Sequence, residues 1–211
     1  MYDVVLFDFD GTLVNTNDLI VEALQAAANL ANGKDLSNKE LDHILGRPLQ
    51  EQMEIIHQGR ADELVAYYRQ YYRQRRDDMT QIFDGVTTML STLKDAGVRM
   101  GVVSNKGTSG IRHGIDLFDL DAYFEVALSS EDVLEKKPHP EGIYKALEQM
   151  KSQDQRVLFV GDSGHDIECG QRAEIDTALV GWTILDKDRL LTLNPTYLAE
   201  SVDQLTEFIL K

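Results

Sequence analysis

Short apolar runs alternate with amphipathic segments along most of this chain. The runs have the length of buried strands, and they lie near residues 4–7, 100–103, 126, 157–160 and 177–180. Helical spacing of apolar residues predicts helices between them, near residues 86–93, from 108, over 140–150, from 164 and over 202–210. Alternation of strands with helices predicts an α/β fold, with a doubly wound parallel Rossmann-like sheet.

One long segment, residues 16–80, lacks strand patterns and is predicted to be wholly helical. Asn17 is expected to cap its first helix and Gly33 to end it. Ser37 and Glu40 have the spacing of a capping box, so a short second helix is predicted to begin there. A third helix and a long tyrosine-rich helix complete the segment.

This helical segment interrupts the strand–helix alternation and is therefore expected to form a separate domain. A chain of 211 residues is long enough for one core that carries a smaller insertion. We predict a Rossmann-like core formed by residues 1–15 and 81–211. Residues 16–80 would then form an inserted, all-helical cap domain.

The net charge of −15 argues against nucleic acid or an anionic membrane as the main partner. Residues 67–76 mix arginines with tyrosines, a combination that can bind single-stranded nucleic acid. However, Leu64, Tyr68 and Tyr72 fall at helical spacing, which favours a packed face with the arginines on the solvated side.

Further expectations concern location and assembly. No apolar run approaches the roughly 20 residues of a membrane helix, and the first strand follows Met1 too closely for a signal peptide. Cys169 is the only cysteine, so no internal disulfide can form and a reducing compartment is favoured. We expect a cytoplasmic protein that is a monomer or weak homodimer.

Two carboxylates, Asp8 and Asp10, appear where the first strand ends. Side chains alternate along a strand, so both should lie on one side, with Phe9 facing away. Gly11 then permits a sharp turn, and a lone Asp-Gly pair would be read simply as a turn. Paired like charges at a strand end are costly unless a cation or shared proton relieves them, which favours a chemical role.

Other strand ends also carry polar residues. Taken singly, they indicate a helix cap, a solvated lysine pair and a turn: Ser104-Asn105-Lys106, Lys136-Lys137 and Gly161-Asp162-Ser163 with Asp166. In a doubly wound sheet, however, these segments and the first strand converge on one crevice.

That crevice would hold four carboxylates: Asp8, Asp10, Asp162 and Asp166. Mg²⁺ is the cation expected there, because it binds oxygen ligands and retains waters and phosphate oxygens. Ser104, nearby backbone amides and a lysine would supply donors for a tetrahedral anion. A carboxylate nucleophile, a metal and phosphate donors together indicate phosphoryl transfer through an aspartyl-phosphate.

The motifs and their order resemble the haloacid-dehalogenase-like hydrolase superfamily, in its helical-cap subclass, over essentially the whole chain. The four segments that look like its motifs are Asp8-Phe9-Asp10-Gly11-Thr12, Ser104, Lys137-Pro138 and Gly161-Asp162-Ser163 through Asp166. Three further segments look most like phosphoglycolate phosphatases: Ser104-Asn105-Lys106, Phe83-Asp84-Gly85-Val86 and Gly46-Arg47-Pro48.

This resemblance implies a role for each matching residue. Asp8 would be the nucleophile, and Asp10 would protonate the leaving oxygen and then activate water. Ser104 would bind the phosphoryl group, Asn105 would contribute mainly through its backbone, and Lys137 would balance charge. The metal ligands implied are Asp8, the backbone carbonyl of Asp10 and Asp162, with Asp166 assisting through water or outer hydrogen bonds.

The expected activity is Mg²⁺-dependent hydrolysis of a small phosphate monoester, with 2-phosphoglycolate as the first candidate. Pyrophosphate, sugar phosphates, nucleotides and phosphomutase chemistry remain open. A non-catalytic binding module is the alternative of another class, and the complete set of motif residues counts against it. Asp10 separates the phosphatase from true dehalogenases, which lack an acid there and use no Mg²⁺.

Arg47 is the one candidate binding residue in the helical segment. Gly46 and Pro48 shape a break between two helices, and Arg47 lies at its tip. A guanidinium can bind a carboxylate or phosphate with two hydrogen bonds, so we predict that Arg47 contacts the substrate. The alternative is a solvated loop residue.

Overall fold

A computed structural model describes the backbone of all 211 residues and every side chain except that of Asp42. The chain separates into two compact units. The core unit comprises Met1–Val14 and Ile82–Lys211, and the helical unit comprises Asn15–Gln81. Two very short paired strands, β2 (Val14–Asn15) and β3 (Gln81–Ile82), lie where the chain passes from one unit to the other.

The core unit is built on a six-stranded sheet in which all neighbouring strands are parallel. In spatial order the strands are β5 (Val126–Leu128), β4 (Arg99–Val103), β1 (Val4–Phe7), β6 (Val157–Gly161), β7 (Asp176–Val180) and β8 (Tyr197–Ala199). The central strands are buried along their length, as expected for a parallel sheet covered on both faces.

Helices of the core unit connect these strands. They are α5 (Val86–Asp95), α6 (Thr108–Leu117), α7 (Glu141–Met150), α8 (Gly164–Arg172), α9 (Lys187–Leu191) and α10 (Val202–Leu210), with a single 3₁₀ turn at Asp121–Tyr123. Val5 and Phe7 of β1 pack in one hydrophobic cluster with residues of α5 and α10, whereas Val4 and Leu6 pack in another with α7. The predicted doubly wound parallel α/β fold is confirmed.

The helical unit contains α1 (Asn17–Asn32), α2 (Asn38–Ile44), α3 (Leu49–Ile56) and α4 (Ala61–Met79). Gly33 ends α1 in the left-handed conformation, and Ser37 and Glu40 form the predicted capping box. The predicted cap at Asn17 is wrong by one residue, since Thr16 occupies the N-cap position and Asn17 begins the helix.

This unit has a hydrophobic core of its own, which includes Leu24, Met53, Leu64 and Tyr68. Tyr68 and Tyr72 stack with their ring centroids 6.1 Å apart, so the tyrosines of α4 form a packed face as the spacing predicts. Among the described residues, no helix combines the length and the apolar character that crossing a membrane requires.

Candidate active site

A tight loop follows β1 and carries Asp8 and Asp10. The backbone carbonyl of Phe9 accepts hydrogen bonds from the backbone N–H groups of Leu13 and Val14, both at 3.0 Å. Gly11 turns the chain with a φ of 76°, and a Cβ there would lie 2.3 Å from Asp162 Oδ2. Glycine is therefore required at position 11 for two reasons: its backbone conformation is left-handed, and the Asp162 carboxylate approaches it closely.

Lys137 lies between two buried carboxylates. Its Nζ is 2.8 Å from Asp8 Oδ1 and 2.6 Å from Asp166 Oδ1, and its side chain is only 5% exposed. Asp166 is held from its other oxygen, Oδ2, which accepts hydrogen bonds from the Ser163 backbone N–H and hydroxyl at the start of α8. The two motifs at residues 137 and 162–166 thus meet at the end of β1.

Burial raises the pKa of Asp8 to about 6, with the Lys137 ammonium opposing the shift and the charge of Asp166 adding to it. The pKa of Asp162 is raised well above its usual value by burial and by the charges of Asp166 and Asp8. Burial disfavours the charged form of Lys137, but Asp166 and Asp8 keep its pKa above the usual value. The site carries more negative charge than one lysine neutralises.

The carboxylates fit a divalent cation. One oxygen each from Asp8, Asp162 and Asp166 lies within 4.8 Å of the others. Asp8 Oδ1 is buried, and the ammonium of Lys137 faces it at 2.8 Å. Hard oxygen ligands with excess negative charge are the environment that Mg²⁺ prefers.

Ser104 and Asn105 follow β4 and complete the surroundings of Asp8. Ser104 is buried, and its side chain is among the groups that lower the pKa of the Asp8 carboxyl. The Asn105 side chain pairs with the backbone of Lys137: its Nδ2 donates to the Lys137 carbonyl at 3.1 Å, and its Oδ1 accepts from the Lys137 N–H at 3.0 Å. The expectation that Asn105 contributes mainly through its backbone misses this contact.

Lys106 is not among the predicted site residues, yet it reaches Asp10. Its Nζ lies 2.8 Å from each oxygen of the Asp10 carboxylate. The sequence signal that could have identified Lys106 is its position as the third residue of the polar segment after β4, beside a crevice rich in carboxylates.

The predicted residues of the core unit lie at the carboxyl ends of β1, β4 and β6, on the loop before α7 and in the first turn of α8. Arg47 belongs to the helical unit, where its Nε donates to the His43 carbonyl at 2.7 Å and its Nη1 pairs with Glu51. Its side chain is 34% exposed. Contact between Arg47 and a substrate stays a prediction.

Comparisons with known proteins agree with this geometry. Residues 5–180 match the model of a family described as haloacid dehalogenase-like hydrolase. The pyrophosphatase PpaX of Anoxybacillus flavithermus is 33% identical over 207 residues, which cover 98% of this chain and 96% of that protein.

Solved structures are similar over nearly the whole chain. A predicted phosphatase from Clostridium acetobutylicum has 25% identity and a TM-score of 0.84, covering 100% of this chain and 99% of that one. A predicted phosphoglycolate phosphatase from Haemophilus somnus has 20% identity and a TM-score of 0.87, covering 98% and 97%, and at that identity it supports the fold alone. The chain therefore belongs to the haloacid dehalogenase-like hydrolase family and is an enzyme of its phosphatase type.

Proposed function

We propose that this protein is a Mg²⁺-dependent phosphatase that hydrolyses a small phosphate monoester through an aspartyl-phosphate on Asp8. The observation that carries the proposal is the buried arrangement of Asp8 with Lys137 at 2.8 Å, beside the Ser104 hydroxyl and two further carboxylates. This arrangement combines an anionic nucleophile with donors for a phosphoryl group.

In the first step the phosphoryl group would bind between Asp8, Ser104 and Lys137. A carboxylate oxygen of Asp8 attacks phosphorus, and the bond from phosphorus to the leaving oxygen breaks. Asp10 gives that oxygen its proton. The product alcohol leaves, and the phosphoryl group remains on Asp8 as a mixed anhydride.

In the second step Asp10 takes a proton from water, whose oxygen attacks the same phosphorus. The bond to Asp8 breaks, and inorganic phosphate and free Asp8 are formed. The residues that would hold Mg²⁺ are Asp8, the backbone carbonyl of Asp10 and Asp162, where the cation would offset the charge of the carboxylates and phosphate. Asp166 orients Lys137 and supports the ligands from outside.

For the substrate, 2-phosphoglycolate is the first candidate, because its carboxylate offers a second anionic group for Arg47. Pyrophosphate is the second, because the 33% identical relative from Anoxybacillus flavithermus is named a pyrophosphatase. The ratio of kcat/KM for the two compounds decides between them. We expect a small phosphorylated metabolite as the partner, with neither nucleic acid nor membrane, and a cytoplasmic monomer or weak homodimer.

Hydrolysis of p-nitrophenyl phosphate by the purified protein tests the proposed class of reaction. We expect turnover with Mg²⁺, its loss in EDTA and its return when excess Mg²⁺ is added. A folded protein without turnover would be a binding module on the same fold. Full activity in EDTA would show that the reaction does not require Mg²⁺.

A further inference from the structure

Lys106 and Asp10 form an ion pair with two contacts at the mouth of the candidate site. Lys106 Nζ lies 2.8 Å from both Asp10 Oδ1 and Asp10 Oδ2. The two side chains are 16% and 24% exposed, so the pair is shielded from most of the solvent. Because both oxygens are engaged, the ammonium restricts rotation of the Asp10 carboxylate.

The backbone of Lys106 is itself held in place. Its N–H donates to Ser104 Oγ at 3.3 Å, and its carbonyl accepts from the backbone N–H of Ser130 at 3.0 Å. The lysine side chain therefore starts from a point fixed by the ends of β4 and β5.

Gly110, in the first turn of α6, provides the surface along which the Lys106 side chain runs. A Cβ at position 110 would lie 2.6 Å from Lys106 Cε and 3.1 Å from its Cδ and Cγ. Glycine is less favourable than alanine inside a helix. The space that the Lys106 side chain needs explains why glycine stands at position 110, where the helix by itself would favour alanine.

We infer that Lys106 is a positioning residue: its ammonium holds one Asp10 oxygen while the other oxygen, which carries the proton, faces the leaving oxygen, and Gly110 is required for it to do so. This inference rests on the proposed function, in which Asp10 transfers the proton. An aspartate on a loop has several rotamers, and proton transfer requires its oxygen within hydrogen-bond reach of the leaving group.

Phenyl phosphate and p-nitrophenyl phosphate, two aryl esters of similar shape, distinguish this role of Lys106 from a role in substrate binding. Phenolate is a poor leaving group, since a phenol ionises only near pH 10, and it needs a proton as it departs. The p-nitrophenolate ion is far more stable and needs little assistance. Neither ester has an anionic tail, so loss of a contact between Lys106 and a tail would affect neither.

We expect Lys106→Met to lower kcat/KM for phenyl phosphate by about tenfold or more, and for p-nitrophenyl phosphate by about threefold at most. Lys106→Arg keeps a cation and should recover much of the loss. The matched control is Lys187→Met in α9, which removes a surface pair with Glu200 at 3.0 Å and should change neither rate. Equal losses on the two esters, or no loss on either, would overturn the inference.

Gly110→Ala tests the same role without touching a charged residue. The added methyl group should displace the flexible lysine and give the same leaving-group-dependent loss. Alanine favours the helix, so the melting temperature should not fall. The double variant Lys106→Met with Gly110→Ala should be no worse than Lys106→Met alone, because both act through one contact; additive losses would contradict the role of Gly110.

The unaltered protein distinguishes failure of this inference from failure of the proposed function. If it hydrolyses neither ester with Mg²⁺, the proposed function fails and the inference fails with it. If it hydrolyses both and the variants lose activity equally on both, only the role of Lys106 fails.

Discussion

The side-chain amide of Asn105 forms two hydrogen bonds with the backbone of Lys137, at 3.1 and 3.0 Å, across 32 residues of sequence. A side-chain amide satisfies a backbone N–H and carbonyl together, as a neighbouring strand would. The loop that carries Lys137 is thereby tied to the end of β4, which fixes the point from which its ammonium reaches Asp8.

Replacement of Asn105 should therefore impair catalysis through Lys137. We expect Asn105→Ala to lower kcat/KM for p-nitrophenyl phosphate by about tenfold or more, since leaving partly buried backbone groups unpaired costs about 1–3 kcal/mol. Steady-state kinetics and thermal unfolding measure the effect. Asn29→Ala is the control, because it removes an exposed hydrogen bond to Asp35 in the helical unit; a similar loss of activity there would contradict the explanation.

Asp8→Asn should abolish turnover and leave the fold intact. An amide cannot attack phosphorus as a carboxylate does, so we expect kcat below about 1% of the unaltered value. In EDTA the melting temperature should not fall, because the substitution removes one of three crowded carboxylates while Lys137 keeps its pair with Asp166. A folded Asp8→Asn protein with substantial activity would exclude Asp8 as nucleophile.

Gly11→Ala should lower the stability of the fold and weaken the binding of Mg²⁺ at the site. The left-handed backbone costs about 1–2 kcal/mol for alanine, and the new methyl group would lie 2.3 Å from Asp162 Oδ2. We expect a higher Mg²⁺ concentration for half-maximal activity. Gly33→Ala is a close control, since φ at Gly33 is 67° and an added Cβ would meet no neighbouring group within 4 Å. This variant should lose stability but keep the Mg²⁺ dependence of the unaltered protein. An equal change in the Mg²⁺ dependence of both variants would contradict the role of the clash with Asp162.

Arg47→Ala should raise KM for 2-phosphoglycolate by about tenfold, which corresponds to about 1.4 kcal/mol of lost binding. Hydrolysis of p-nitrophenyl phosphate should change much less, since that ester lacks an anionic tail. Glu51→Gln is the control, because it removes the local partner of Arg47 and keeps the guanidinium. Equal losses on both substrates would mean that Arg47 supports the structure of the helical unit. Unchanged kinetics on both would mean that Arg47 is a solvated loop residue that does not contact the substrate.

The Cys169 thiol should be unreactive in the folded protein. Burial raises its pKa to about 12, so at pH 8 the thiol stays protonated and the reactive thiolate is scarce. We expect no colour with a disulfide reagent at pH 8 in native buffer and one equivalent in denaturant. Reaction of the native protein within minutes would contradict the buried, protonated state.

Local patterns were sufficient for much of the secondary structure. The apolar run of β1, the capping box at Ser37 and Glu40 and the left-handed Gly33 depend on residues close in sequence, and each is present where predicted. Strand β8 and helix α9 have no such signal. Strand β8 is three residues long and only partly buried, so it becomes a strand by pairing with β7 at the edge of the sheet.

The sequence by itself determined the fold class and the carboxylates at the strand ends, because a buried parallel sheet imposes short, continuous apolar runs and brings the carboxyl ends of its strands to one edge. Only the tertiary structure revealed that the Asn105 side chain hydrogen-bonds the Lys137 backbone and that Lys106 forms an ion pair with Asp10, 96 residues away in sequence. Those contacts depend on side-chain directions and on the space left by Gly110, which periodicity and composition do not encode.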